Sequence, residues 1–168
     1  MKTILETDRL LIREIMDDDF DALSLVIPKN DGEYILKWIR WCKSSYQKDG
    51  FGHYAVILKE TGELIGSAGI SMQPINNEWK EEIGYHIRKD YQRIGLAKEA
   101  ATALRDYFFS NFSSDEVYSY MEENNVPSLK TALAMGMKYR YTYKGKDGIS
   151  YRVYSLTREE WNNLRKGI

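Results

Sequence analysis

The sequence predicts a mixed α+β fold, a central and mostly antiparallel sheet of about seven strands flanked by helices. Segments with strand-like alternation and segments with helical spacing follow one another in the order β-α-α-β-β-β-α-β-α-β-β-α. The strand-helix-strand connections in the middle of that order require a parallel or mixed region within the otherwise antiparallel sheet.

The first half of the chain supplies five of these strands and helices. Residues 10–15 alternate as a strand, and the three aspartates at 17–19 supply an N-cap and first-turn carboxylates for a helix that Pro28 closes. A second helix opens at Asp31. A Glu-Thr-Gly-Glu turn joins strands at 54–58 and 64–72 into an antiparallel hairpin.

The second half alternates strands and helices more regularly. A strand carries Ile83, Tyr85 and Ile87 on one face, and the next helix bears small and aromatic residues on one stripe. A short strand at 117–121 precedes a helix that begins at Asn125 and ends at Gly136. A hairpin of strands at 138–143 and 150–155 leads to a last helix, which opens on a capping box at Thr157.

Length and composition indicate one ordinary globular domain over residues 1–168. Hydrophobic residues make up 43% and charged residues 29%, without repeats, low-complexity stretches or a linker. The formal net charge of −1 provides no general attraction to nucleic acid or to anionic membranes. We therefore expect neither as a partner.

The sequence favours the cytoplasm as the location. Its apolar runs are far shorter than the roughly 18 residues of a membrane helix. The N-terminus meets Glu6 and Asp8 before an apolar signal region forms. A single cysteine, Cys42, has no partner for an internal disulfide.

The most informative segment runs from Glu82 to Ala100. A strand ends there, a polar loop turns, and a helix begins at Gly95. The first amides of a helix have no internal partner and lie at the positive end of its dipole, so they suit a diphosphate. Gly95 lets the backbone approach such a ligand because it has no Cβ. Glycine and alanine at such a turn also occur for packing alone.

The opening segment Glu6-Thr7-Asp8-Arg9-Leu10-Leu11-Ile12-Arg13 is similar to the strand motif "ET-x-RL-x-LR". Five more segments carry short motifs in a fixed order: 64–70, 82–85, 95–100, the Asn125-x-x-Ser128 helix ending in Met135-Gly136-Met137, and 154–161. Together the six segments resemble the GNAT (GCN5-related N-acetyltransferase) superfamily, and within it the RimJ/RimL-type branch of ribosomal-protein N-terminal acetyltransferases.

The resemblance implies acetyl-CoA as co-substrate, no metal, and a cofactor strand that splays from its neighbour. Backbone amides of the loop and helix start would bind the pyrophosphate, and the free strand edge would bind the pantetheine arm. Asn125 would contact the cofactor near the pantetheine, and Ser128 could reach the thiol. The implied cofactor-binding residues are His86, Ile87, Arg88, Gln92, Arg93, Ile94, Gly95, Leu96, Ala97, Lys98, Asn125 and Ser128.

Acetyl transfer to an amine requires a base, because a primary amine is largely protonated at neutral pH. Glu82 is the candidate catalytic base, since it lies on the cofactor strand where other members carry a glutamate; Glu81 and Glu122 are fallback candidates. The alternative is that Glu82 is a solvated or ion-paired strand residue. Many members carry a tyrosine acid seven residues after the helix asparagine, but Ala132 stands there, so Ser128 is the substitute candidate.

The resemblance leaves the acceptor amine open. Tyr34 and Trp38 occupy the segment that usually binds the acceptor. The branch favours a protein N-terminal α-amine; the alternatives are a small amine, such as a polyamine, an amino acid or an aminoglycoside, and a non-catalytic acyl-CoA sensor. Free sheet edges often form dimers in this superfamily, so a homodimer is a further expectation.

Overall fold

The computed structural model describes residues 2–27 and 31–167, and within them the fold is the predicted mixed α+β class. The described strands are β1 (Thr3–Glu6), β2 (Leu10–Glu14), β3 (His53–Leu58), β4 (Leu64–Ile75), β5 (Glu78–Ile87), β6 (Glu116–Glu122), β7 (Lys138–Lys144) and β8 (Ser150–Thr157). The described helices are α1 (Phe20–Ser24), α2 (Gly32–Asp49), α3 (Leu96–Asn111), α4 (Val126–Ala134) and α5 (Arg158–Arg165).

The strands form one sheet in the order β1-β2-β3-β4-β5-β6-β8-β7. The pairs β1–β2, β2–β3, β3–β4, β6–β8 and β7–β8 are antiparallel, whereas β5 meets β6 in parallel, at Glu82 and Tyr118. This is the mixed region that the strand-helix-strand order predicts. The eighth strand, β1, is additional to the predicted set; it is a short edge strand without buried residues, so it carries no clear hydrophobic pattern.

The chain divides into two compact units, and β4 and β5 each run from one unit into the other. The first comprises residues 1–71 and 84–103, and the second comprises residues 72–83 and 104–168. One domain over residues 1–168 stays a prediction. No helix among the described residues is long and apolar enough to cross a membrane.

The core of the first unit lies under α2. Ile35, Ile39 and Cys42 recur at helical spacing, are at most 2% exposed, and pack with Leu23 of α1 and Ala55 of β3. Burying each large aliphatic side chain contributes about 1.5–3 kcal/mol to stability. Asp31 caps α2 as predicted, because its carboxylate accepts a hydrogen bond from the Glu33 amide. The predicted helix end at Pro28 lies outside the described residues.

In the second unit, helices α3 and α5 pack through aromatic side chains. The rings of Phe109 and Trp161 stack with their centroids 5.1 Å apart, and the indole N–H of Trp161 donates to Asp106 at 2.8 Å. Thr157 caps α5 as predicted by accepting from the Glu160 amide. The Glu160 carboxylate bonds to Arg140 of β7. Helix α5 is therefore tied to the sheet by a residue that the sequence assigns only to a capping box.

A tight turn joins β4 and β5, which makes both strands longer than predicted. Asn76 and Asn77 have left-handed φ angles of 50° and 69°, the conformation of a two-residue hairpin turn. Asparagine tolerates this conformation better than most residues. The turn extends β4 to Ile75, beyond the predicted end at Met72, and starts β5 at Glu78.

The aspartate run at 17–19 begins a helix as predicted, but Asp19 has a further role. Asp17–Asp19 form a short 3-10 turn before α1. Both Asp19 oxygens accept from the Arg13 guanidinium, at 2.7 and 2.8 Å, and both side chains are over 90% buried. The hydrogen bond to Arg13 holds the pKa of Asp19 below its usual value against the opposing effect of burial.

We predict that Asp19→Asn lowers the free energy of unfolding by about 3 kcal/mol, because it leaves the Arg13 charge buried without its counter-charge. Asp17→Asn is the matched control, since Asp17 pairs with Lys43 at 2.9 Å but its side chain is 80% exposed. That change should cost less than about 1 kcal/mol. Urea unfolding at neutral pH measures both, and equal losses would contradict the buried pair as the source of stability.

Candidate active site

The loop between β5 and α3 has an irregular, well-supported backbone. The Gln92 side chain donates from Nε2 to the Ile87 carbonyl at 2.7 Å, which ties the loop to the end of β5. Arg93 and Gly95 both adopt left-handed φ angles, 67° and 84°. Such a conformation is costly for arginine, so the surrounding contacts must hold it in place.

The first amides of the helix that follows come before its first intrahelical bond. In the described residues, its first i→i−4 bond runs from the Glu99 amide to the Gly95 carbonyl at 3.0 Å. The amides of Leu96, Ala97 and Lys98 precede that bond, where helices have no internal partner for them. Residues 92–95 are exposed. Successive N–H groups next to left-handed residues form a concave anion site, which the helix dipole strengthens. The loop therefore suits a diphosphate.

Arg9 and Glu99 fix this loop, and neither was a candidate site residue. Arg9 donates from Nε to a Glu99 oxygen at 2.7 Å and from Nη1 to the Ile94 carbonyl at 2.9 Å. The other Glu99 oxygen accepts from the Thr7 hydroxyl at 2.6 Å and from the Arg9 amide at 2.9 Å. The sequence signal is that Thr7 and Arg9 belong to the matching opening segment and Glu99 to the matching segment 95–100, but partners some 90 residues apart leave no local pattern that pairs them.

The end of β5 has two different edges. The Arg88 amide donates to the Ile65 carbonyl at 2.8 Å, and the His86 carbonyl lies 2.6 Å from where a Gly66 Cβ would stand, so these residues direct their backbone toward β4. Backbone groups alternate between edges along a strand, so Ile87 directs its own to the opposite edge. Of the three residues predicted to meet the pantetheine, Ile87 is the one whose backbone faces away from β4.

Glu82 is buried at the parallel β5–β6 pair. The residue is 8% exposed, and its carboxyl group accepts a hydrogen bond from the Tyr120 backbone amide. Burial raises the pKa of Glu82 to about 8, and that hydrogen bond only partly offsets the rise. A carboxyl group with a pKa near neutral pH can both accept and release a proton, as a general base must. Glu82 is therefore not the solvated strand residue of the alternative interpretation.

The two fallback candidates lie in different surroundings. Glu81 accepts a hydrogen bond from the Ser114 hydroxyl at 2.8 Å, and Glu122 is exposed at the end of β6. Glu82 differs from both because it is a buried residue, and burial raises its pKa toward neutral pH.

Asn125 and Ser128 form the cap of α4. The Asn125 side-chain oxygen accepts from the Ser128 amide at 3.2 Å, and Pro127 occupies the first turn. The motif thus has a structural use in starting this helix, beside the predicted contacts with a cofactor. Ala132, at the position of the tyrosine acid in many relatives, is fully buried.

Tyr34 and Trp38 lie on α2 in the first unit. Tyr34 is 39% exposed, and the Trp38 ring meets His53 edge-on with centroids 5.8 Å apart. His53 is buried beside Ser67, its Nδ1 3.3 Å from the hydroxyl. Burial first, and then the charge of His86, lowers the pKa of His53 to about 4. His53 is therefore neutral at physiological pH.

The predicted residues fall into two sets. The loop, the end of β5, Tyr34 and Trp38 belong to the first unit, whereas Glu82, Asn125 and Ser128 belong to the second. The chain itself links the sets, because Glu82 and Ile87 lie on the same strand. On one continuous segment the chain thus carries a buried carboxyl group and, after it, a helix start that suits a diphosphate.

Comparison with known proteins identifies the family to which the chain belongs. Residues 9–138 match the family model described as "Acetyltransferase (GNAT) domain". The chain therefore belongs to the GNAT acetyltransferases and is an acyltransferase enzyme. The "Uncharacterized protein YkkB" of Bacillus subtilis is 29% identical over 154 residues, which cover 85% of this chain and 90% of that protein.

Solved structures share the fold. An acetyltransferase from Agrobacterium tumefaciens is 27% identical with a TM-score of 0.76, covering 93% of this chain and 94% of its own. A RimL ribosomal-protein acetyltransferase, solved in complex with coenzyme A, also has a TM-score of 0.76 and covers 93% of this chain and 98% of its own. At 15% identity, that second likeness shows the fold alone.

We predict that the stability of the protein and of its Glu82→Gln variant diverge with pH. The folded-state pKa of about 8 exceeds the unfolded value near 4.5, so the folded state retains a proton that the unfolded state loses between them. The free energy of unfolding of the parent protein should therefore fall as the pH rises from about 4.5 to about 8. The variant lacks the titrating carboxyl group and should not show this contribution. Urea unfolding from about pH 5 to about pH 9 measures it, and parallel curves would refute the raised pKa.

Proposed function

We propose that this chain is an acetyl-CoA-dependent N-acetyltransferase of the RimJ/RimL-type branch, acting in the cytoplasm on a protein N-terminal α-amine. The observation that carries the proposal is the exposed left-handed loop at Arg93–Gly95, which opens α3 directly after the strand that bears Glu82. Family membership supports acetyl transfer. The RimL structure, whose description names a ribosomal-protein α-N acetyltransferase with coenzyme A, favours the same donor and acceptor class.

The chain's own residues fit a coenzyme A diphosphate. The amides of Leu96, Ala97 and Lys98 would donate to its oxygens, and Gly95, which has no Cβ, leaves the backbone open to the ligand. Ile87 would offer its backbone to the pantetheine arm. Asn125, at the start of α4, would contact the same arm beside its capping bond.

Glu82 would act on the acceptor amine. An α-amino group has a reference pKa of about 8, close to that of the buried Glu82 carboxyl, so a proton moves between them at little cost. The neutral amine then attacks the thioester carbonyl directly, in a ternary complex. A backbone amide of β5 would stabilise the oxyanion, and Ser128 would donate to the departing thiolate.

Two other functions are compatible with the same fold. A small amine would use the same donor site and the same base, and it differs only in what surrounds the amine. A non-catalytic sensor would bind acetyl-CoA without turnover, and Ala132 in place of the usual tyrosine is the observation in its favour. A screen of N-terminal peptides and amine metabolites, read as thiol release from acetyl-CoA, separates the three.

We predict that Gly95→Ala weakens acetyl-CoA binding at least about tenfold, because a side chain at φ 84° strains the loop that presents the amides. Gly62→Ala is the matched control. It has a similar φ of 75° in the β3–β4 turn, and an added Cβ there meets nothing within 4 Å. Calorimetry with acetyl-CoA measures both variants; equal affinity in both, or no binding by the parent protein, would remove the proposed diphosphate site.

We predict that Glu82→Gln lowers turnover by about 10²–10⁴-fold while acetyl-CoA affinity is retained. In the parent enzyme, turnover should rise with pH through about 8, since the ionised carboxylate is the reactive form. Glu78→Gln, on the exposed start of the same strand, is the control and should keep the parent rate. Unchanged turnover in Glu82→Gln would exclude this residue from the mechanism.

A further inference from the structure

A cavity of about 330 Å³ lies in the second unit beside the β4–β5 turn, within the range of roughly 300–1,000 Å³ that is usual for ligand sites. Its walls include the side chains of three tyrosines and the two turn asparagines: Tyr120, Tyr143, Tyr151, Asn76 and Asn77. None of these residues belongs to the predicted cofactor or acceptor set. The cavity has room for one large side chain.

The three tyrosines form a continuous wall, which we call the tyrosine wall. The Tyr143 and Tyr151 rings stack at 5.5 Å with an interplanar angle of 26°, and the Tyr120 ring lies 5.8 Å from Tyr151. The Tyr151 hydroxyl donates to Asp147 at 2.6 Å, which holds the middle ring in place. A preformed set of rings binds a further flat ring through offset or edge-on contacts.

Tyr120 connects the wall to the candidate base. Its ring lines the cavity, and its backbone amide donates to the Glu82 carboxyl group. Burial, and then the charge of Glu82, raises the pKa of the Tyr120 hydroxyl to about 12. A group seated against the wall would therefore contact the same residue that binds the candidate base through its backbone.

The charges at the cavity do not favour a polycation. Lys144 and Lys146 line it and are exposed. The Asp147 carboxylate already accepts from the Tyr151 hydroxyl and, at 3.0 Å, from the Ile149 amide. The two lysines and the one carboxylate leave a net positive charge at the cavity, so a polyamine or an aminoglycoside would be repelled here.

We propose that the tyrosine wall binds the side chain next to the acceptor's α-amine, and that it selects an aromatic side chain. The inference rests on the proposed function, because it names the acceptor class of that reaction. An α-amine beside an aromatic ring occurs both in a free aromatic amino acid and in a peptide whose first residue is aromatic. The two sources share this chemistry and differ in the group that follows.

The test compares tetrapeptide amides that begin with phenylalanine, alanine or lysine, together with free phenylalanine, at saturating acetyl-CoA. The parent enzyme should prefer the phenylalanine peptide over the alanine peptide by about tenfold in kcat/KM, and the lysine peptide should be the poorest. If free phenylalanine has a higher kcat/KM than the phenylalanine peptide, the site is assigned to the free amino acid. The opposite order would assign it to a protein N-terminus.

Tyr143→Ala should abolish the aromatic preference without changing acetyl-CoA affinity by calorimetry, whereas Tyr143→Phe, which keeps the ring, should retain it. Tyr139→Ala is the matched control, because Tyr139 is on the same strand, is 54% exposed and does not line the cavity. Equal kcat/KM for the phenylalanine and alanine peptides in the parent would overturn the inference and leave the proposed function standing. Absence of acetyl-CoA binding would instead overturn the proposed function.

Discussion

The start of α3 depends on one side chain, the Arg9 guanidinium, which binds both the Glu99 carboxylate and the Ile94 carbonyl. A left-handed arginine, two residues before the left-handed Gly95, is costly for a flexible loop to maintain. Arg9 ties the carbonyl between them to the first turn of the helix, so the strained backbone is held from outside. A diphosphate site made of backbone amides works only if those amides already point at the ligand, since ordering them on binding would cost affinity. The turn between β1 and β2 thereby supports the site that lies some 85 residues later.

Glu82 illustrates how burial turns an ordinary residue into a candidate base. In water its carboxyl group would be ionised at neutral pH and would attract a proton only weakly. Between β5 and β6 it has one backbone donor and little solvent, so its pKa rises toward that of an α-amine. The same burial costs folding stability whenever the group ionises. Function and stability are thus coupled at this residue, and the proposed tyrosine wall begins at the residue that donates to it.

The sequence predicted the fold class, most of the helix starts and the hairpins, because these follow from local patterns. Asp31, Asn125 and Thr157 cap helices where their residue types predicted, and Gly136 takes the left-handed φ expected after α4. Strand β1 and the Asn76-Asn77 turn were missed. The first has little hydrophobic alternation, and the second is a two-residue turn without the glycine that usually reveals one.

For the site, the sequence by itself determined the chemical groups and their order along the chain: a carboxylate on a strand, then a glycine at a helix start, in the pattern of an acetyltransferase. Those features are local, so spacing and residue type are sufficient to reveal them. Only the tertiary structure decided that Arg9 supports the loop, that Asp19 neutralises Arg13, and that Glu82 is buried beside Tyr120. Each of these depends on which distant residues meet and how much water remains between them, and no local pattern in the chain records either.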